Sequence, residues 1–192
     1  SLQKEINETF RAYRTKAILN SGSEFDLDKI KKEKSSLLNY FHDQGYYYFR
    51  NGDMTILADT TVGNKQIDLR IGFAKNIPLS YFNKQTIASK TLTIDSVLQS
   101  PLDSKYYHWK TGKIRRRVLD SLVKVNAGDL YSFNNVRTTV RNLSELGMFT
   151  NPLVSFSVDP HDSLKLTSKV SAGVQDATTI GLNAKANYKN VG

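Results

Sequence analysis

Two stretches of this chain follow one plan. "FDLDKIKKEKSSLLNYFHDQGYYYF", Phe25 to Phe49, and "GDLYSFNNVRTTVRNLSELGMF", Gly128 to Phe149, each read as a capped helix that stops at a glycine and passes into aromatic residues. Asp26 and Ser132 are the caps, able to accept from the free amides of the first helical turn. Gly45 and Gly147 are the stops, suited to the left-handed conformation after a helix. With the glycines superposed, Leu38 and Phe41 match Val140 and Leu143. The caps lie 19 and 15 residues before their glycines. The difference is about one helical turn, so the apolar face keeps its direction. A duplicated module is therefore expected, and with it two small domains rather than one large one.

The flanking sequence supports this division. Ile6, Phe10, Tyr13 and Ala17 form one apolar stripe and predict a helix over 5–19. The helix behind Asp26 carries Leu27, Ile30, Lys34, Leu37, Leu38 and Phe41 on or near one face. Tyr46–Phe49 reads as strand from aromatic preference. Met54–Asp59 reads as extended, Val62–Lys65 as a tight turn, and Ile67–Phe73 as a strand with alternating burial. Ile77-Pro78-Leu79 reads as a boundary. Beyond it come a strand over Ile87–Asp95, a polar loop over Ser100–Gly112, and a short helix over Ile114–Val123 with Ile114, Val118 and Leu122 in line. After Gly147, Val154, Phe156 and Val158 alternate with serines, Asp159–Asp162 turns the chain, and Leu164, Leu166 and Val170 return. Thr178–Lys189 alternates strictly over about ten residues, a length suited to a transmembrane β-strand.

Composition narrows the chemistry. The chain has 192 residues and no cysteine, which excludes disulfides, Cys-ligated zinc and a thiol nucleophile. Its three histidines, His42, His108 and His161, have no metal-ligand spacing. Thr111-Gly112-Lys113 lacks the upstream glycine of a phosphate-binding loop. Ser21-Gly22-Ser23 reads as a linker, and Asp28 beside the Asp26 cap is ordinary for a first helical turn. No catalytic constellation emerges, so a non-enzyme without cofactor or metal is expected. No apolar run approaches the length of a membrane helix, and no signal peptide opens the chain. It is expected to be cytosolic or an excised fragment. Net charge is +9, of which residues 1–78 carry +2 and residues 79–192 carry +7. That excess suits an anionic membrane surface, an acidic partner or nucleic acid.

The unit built on "FDLDKIKKEKSSLLNYFHDQGYYYF" with "DTTVGNKQIDLRIGF", and again on "GDLYSFNNVRTTVRNLSELGMF" with "VSFSV", resembles the POTRA domain of the BamA/TamA outer-membrane assembly superfamily. The likeness covers about residues 5–173. The second unit, with "IRRRVLDSLVKVNAGDLYS" and its long preceding loop, looks most like the TamA-like lipoproteins of Bacteroidetes. The resemblance implies an α+β chain of tandem POTRA domains, each β-α-α-β-β with two helices on one face of a small mixed sheet. Residues 1–78 would be one domain, its first strand missing, and 79–173 a second. Residues 174–192 would begin the first strand of a C-terminal outer-membrane β-barrel. The implied location is the periplasmic face of the Gram-negative outer membrane. The implied role is docking of unfolded outer-membrane protein clients, or of periplasmic or lipoprotein partners, by β-augmentation, with no small-molecule substrate.

Two candidate surfaces follow. The strands after each second helix, Tyr46, Tyr47, Tyr48, Phe49 and Arg50 in the first unit and Leu153, Val154, Ser155, Phe156, Ser157 and Val158 in the second, are candidate edges for an incoming peptide. Pro152 suits the start of an edge strand. Val154, Phe156 and Val158 are expected to face the helices, leaving recognition to the backbone. Lys110, Lys113, Arg115, Arg116 and Arg117 form a candidate basic docking patch for an anionic partner or anionic lipid. The alternative is a cytosolic basic nucleic-acid-binding module, in which these arginines pair with phosphates beside Tyr106, Tyr107 and Trp109. The absence of any recognisable nucleic-acid motif weighs against it.

Overall fold

The computed structural model describes residues 2–59, 61–63, 67–94, 97–99, 106–109 and 112–174. The expected barrel strand, Thr178–Lys189, lies outside them, as do Lys110, Asp95, and Asn64 and Lys65 of the expected turn. The chain forms two compact units. One takes residues up to 86 together with 130–133; the other takes 87–129 and 134 onward.

The first unit opens with α1, Leu2–Tyr13, which buries Ile6 and Tyr13 of the predicted stripe. α2, Leu27–Asp43, begins as its cap requires: the Asp26 carboxylate accepts from the amides of Asp28 and Lys29 at 2.8 and 3.2 Å. These bonds hold the Asp26 carboxyl below the usual carboxylate range. β1, Met54–Asp59, and β2, Asp68–Phe73, pair antiparallel from Met54 opposite Phe73 to Asp59 opposite Asp68. The helices enclose an aromatic core. Phe41 sits edge-on to Phe10, Phe49 and Phe73 at 5.0, 5.7 and 5.8 Å, and Phe49 stacks on Phe73 at 5.0 Å.

Two expectations change here. The buried position on α2 before Leu37 is Glu33, not Lys34. Glu33 is 1% exposed, and its Oε2 accepts from the amides of Ile18 and Leu19 at 2.6 and 3.0 Å. The carboxylate thus holds the chain after α1 in place of an apolar contact. Second, Tyr46–Arg50 is not a strand but a turn-rich connection. Strand begins only at Met54, after the tight Asn51–Asp53 turn.

The second unit is built on β3, Thr86–Ile94; β4, Val97–Gln99; β5, Tyr106–Trp109; and β6, Gly112–Arg115. α3, Arg116–Leu122, and α4, Phe133–Glu145, follow, then β7, Phe149–Asp159, and β8, Asp162–Val174. Four strands make one sheet in the order β4-β3-β8-β7, and β5 and β6 make a separate ribbon. The stretch expected to be a polar loop therefore contains strand. The helix expected from Ile114 begins two residues later, because Ile114 and Arg115 belong to β6. The shift rotates the buried face: Leu119 and Val123 are buried, while Val118 is 43% exposed. Thr139, fully buried, accepts from the Lys124 amide and donates to the Asn135 carbonyl, both at 2.8 Å, and Asn142 donates to the Leu122 carbonyl at 3.0 Å. These bonds fix the end of α3 to α4.

The two stop glycines take positive φ, +100° at Gly45 and +66° at Gly147. They differ in room. A Cβ on Gly45 would meet the Lys84 Cβ at 3.1 Å, whereas one on Gly147 would meet nothing within 4 Å. Gly147→Ala is expected to cost about 1–2 kcal/mol from backbone strain alone. Gly45→Ala adds crowding at an even less favourable φ and should cost more. Urea unfolding of the two variants tests this order; a cheaper Gly45→Ala would show that the turn at Gly45 relaxes freely.

Candidate functional site

The two candidate edges differ in what their backbones already do. Around Tyr46–Arg50 much of the main chain is already engaged within the unit. The Tyr47 amide donates to the Gln85 Oε1 at 3.0 Å and the Gly45 carbonyl accepts from the Gln85 amide at 2.9 Å. The Phe49 carbonyl accepts from His42 Nε2 at 2.8 Å and from Arg50 Nη1 at 3.2 Å. Arg50 Nη1 also donates to the Tyr47 carbonyl at 2.9 Å, and the Arg50 amide donates to Asp53 Oδ2 at 2.7 Å. Tyr46 and Phe49 are fully buried in the aromatic core. This segment offers no ladder to an incoming strand.

Gln85 was invisible in the sequence, where nothing marks it out from its polar neighbours. It is fully buried, and its carbonyl also accepts from the Tyr131 amide at 2.9 Å. Tyr131 packs edge-on against Tyr47 at 5.0 Å and against His42 at 6.0 Å. Burial, reinforced by Tyr47, pushes Tyr131 up to about 12, so its hydroxyl is neutral across the physiological range. Ser132, expected to cap α4, stands just before it, and its hydroxyl donates to Asp43 Oδ1 at 3.0 Å.

β7 is different. Among the described residues it ends the sheet order, with β8 as its neighbour. Leu153–Val158 run in regular register, Leu153 opposite Ser171 and Val158 opposite Leu166. The register shifts on either side, between Thr150 and Leu153 and between Val158 and Asp159. Asn151 takes φ +48°, and Pro152 follows it inside the first shift. Along the strand Leu153, Ser155 and Ser157 are exposed. Val154 is buried, Phe156 half-buried and Val158 38% exposed. Only the first of the three apolar residues expected to face the helices is fully covered.

The basic residues are only partly assembled. Lys113 lies in β6 opposite His108, and Arg115 ends β6 opposite Tyr106. Arg116 and Arg117 open α3, and Arg116 pairs with Asp120 at 3.4 Å. Arg115 and Arg117 are exposed. Among the described residues no helix is long and apolar enough to cross a membrane.

Solved structures match this architecture. BamA POTRA3-5 of Haemophilus influenzae superposes over 90% of this chain and 57% of its own, at 12% identity and a TM-score of 0.52. BamA of Haemophilus ducreyi lacking POTRA domains 1-3 matches over 83% of this chain and 25% of its own, at 10% identity and a TM-score of 0.54. The fold is that of POTRA domains. The chain is α+β, with helices packed on small mixed sheets. It spans less than two thirds of either matched structure, and identities this low establish the POTRA fold alone. No protein-family model and no curated protein sequence matches it.

His42 gives the first unit a pH dependence. Burial lowers its pKa below the ordinary 6.5, and the Phe49 carbonyl opposes that shift only in part. The unfolded imidazole therefore takes a proton at a pH where the folded one is still neutral. The contribution is complete above pH 6.5 and is lost as pH falls through the lower folded value. The urea midpoint should fall between about pH 7.5 and about pH 5.5, and His42→Gln should flatten that interval. An unchanged slope in the variant would assign the effect to other groups.

Proposed function

We propose that the chain is the periplasmic POTRA region of a BamA/TamA-like outer-membrane protein, a non-enzymatic module that docks extended segments of unfolded clients or partner proteins on the edge of β7. The reading takes residues 1–78 and 79–173 as the two domains and 174–192 as the start of a barrel strand. The observation that carries it is the terminal place of β7 in the sheet, with six residues in regular register. The likeness to two BamA POTRA structures supports the setting.

Magnitudes shape the mechanism. Each added backbone hydrogen bond contributes about 0.5–1.5 kcal/mol net, while ordering each peptide residue costs about 1–2 kcal/mol. Backbone pairing alone therefore leaves little surplus. The remainder must come from apolar contact, for which Leu153 (58% exposed) and Val158 are available. Binding of this kind is weak, exchanges quickly and tolerates many sequences, as a dock for varied unfolded clients requires.

The absence of cysteine makes the test direct. A photo-crosslinker on Ser155→Cys or Ser157→Cys should capture a urea-unfolded β-barrel protein diluted into buffer. The same probe on Lys31→Cys, exposed on α2, should not. Leu153→Ser should weaken capture roughly tenfold, the scale of losing one apolar anchor. Equal capture at all three positions would sink the reading. Tighter, salt-sensitive binding to labelled DNA or RNA would favour the nucleic-acid alternative.

A further inference from the structure

The two units leave the last strand of the module in different surroundings. In the second, β8 lies between β7 and β3, and the Ser168 hydroxyl donates to the Ser89 carbonyl of β3 at 3.1 Å. In the first, β2 has β1 on one side and no strand on the other among the described residues. Burial follows this difference. Leu166, Ser168 and Val170, alternate residues of β8, are fully buried. Leu69, Ile71 and Phe73, alternate residues of β2, are only half-buried. Beyond the pairing with β1, no backbone bond engages Asp68–Phe73 among the described residues. Such an edge presents a row of unpaired N–H and C=O groups.

A groove of about 2040 Å³ opens beside these residues. Ile56, Leu69 and Ile71 line it from the hairpin, and Phe10, Phe25 and Ile30 from α1, the connection and α2. Small-molecule pockets hold about 300–1,000 Å³, so the volume suits a length of chain instead. The Glu33 carboxylate in its wall is already held by the Ile18 and Leu19 amides.

We propose that this groove seats an extended segment of a partner chain, apolar at alternate positions, which pairs with the free edge of β2 as β3 pairs with β8. The second unit is the precedent on which the occupant rests. There the same module has a strand in that place, and the matching side chains are covered completely. Backbone pairing fixes the register, and the alternate apolar side chains enter the groove between hairpin and helices. A two-stranded hairpin is marginal in water and a third strand steadies it, so the occupant also stabilises the first unit. The site is on the opposite edge of the module from the one that β7 offers. Docking here is independent of docking at β7, and either can fail alone.

The sequence of β3 supplies the probe. A fluorescein-labelled synthetic peptide of Thr86–Ile94, titrated into the whole chain, should bind saturably. The same peptide carrying Thr91→Pro should not, because proline removes a ladder donor. Bound peptide should slow amide exchange at Asp68–Phe73. A photo-crosslinker on Leu69→Cys should capture the peptide. The same probe on Leu57→Cys should not, since Leu57 is on the face of β1 opposite to Ile56. Phe25→Ser, at a half-exposed residue of the groove wall, should weaken binding roughly tenfold without moving the urea midpoint. Leu79→Ser, 78% exposed and outside the groove lining, should leave binding unchanged. No saturable binding, equal binding of the proline peptide, slowed exchange at Leu153–Val158 but not at Asp68–Phe73, equal capture from Leu57, or a dimer of the chain that excludes the peptide would each overturn the proposal.

Discussion

Backbone groups buried among aromatic rings are cut off from water, so they must find partners in the protein. In the first unit one side chain and its own main chain meet that demand. Gln85 engages the Gly45 carbonyl, the Tyr47 amide and the Tyr131 amide. Only with those groups satisfied can Tyr46 and Phe49 sit fully buried against Phe41. Gln85 does so at a cost, because its Nε2 is buried without a partner among the described residues. One unsatisfied donor costs about 1–3 kcal/mol. In return the side chain satisfies the Tyr47 amide, while the Gly45 carbonyl and the Tyr131 amide are bound by the Gln85 main chain. The arrangement also removes Tyr46–Arg50 from any role as a free edge.

The two copies of the module keep one helical plan and stabilise it differently. Leu37 and Thr139 both lie eight residues before their glycines, and both are fully buried. Leu37 contributes apolar area to the aromatic core. Thr139 uses its hydroxyl to hold the Lys124 amide, and so fixes the chain leaving α3. The exchange replaces apolar burial by a satisfied hydrogen bond, which interior packing accepts when the shape is kept. Phe41 and Leu143 stay apolar at the matching place, and both are buried.

Local signals were readable and contextual ones were not. The Asp26 cap and the glycine stops depend on residues within a few positions and appear where the sequence puts them, whereas α1 ends at Tyr13, short of the expected helix over 5–19, and α2 buries Glu33 in place of Lys34. The aromatic run after Gly45 was misread because strand preference is a matter of surroundings. In a small core those rings pack better in a turn that buries two of them. Glu33 falls at helical spacing between Ile30 and Leu37, and that position was itself the available signal. A carboxylate there must have buried donors, which the Ile18 and Leu19 amides supply. The phase of α3 was lost with the β5–β6 ribbon, since the start of a helix fixes which residues it buries.

Which strand lies at a sheet edge cannot be read from any strand's own residues. β7 and β8 look alike as alternating sequence, and only the order β4-β3-β8-β7 separates them. The sequence nevertheless bears the marks of a managed edge. Long flat edges invite unspecific pairing, and bulges or proline shorten them. Asn151 and Pro152 stand inside one register shift and Val158–Asp159 forms the other. What remains between them is Leu153–Val158. An edge bounded in this way limits any added strand to about the usual strand length of five or six residues. That limit restrains edge-to-edge pairing between copies of the chain.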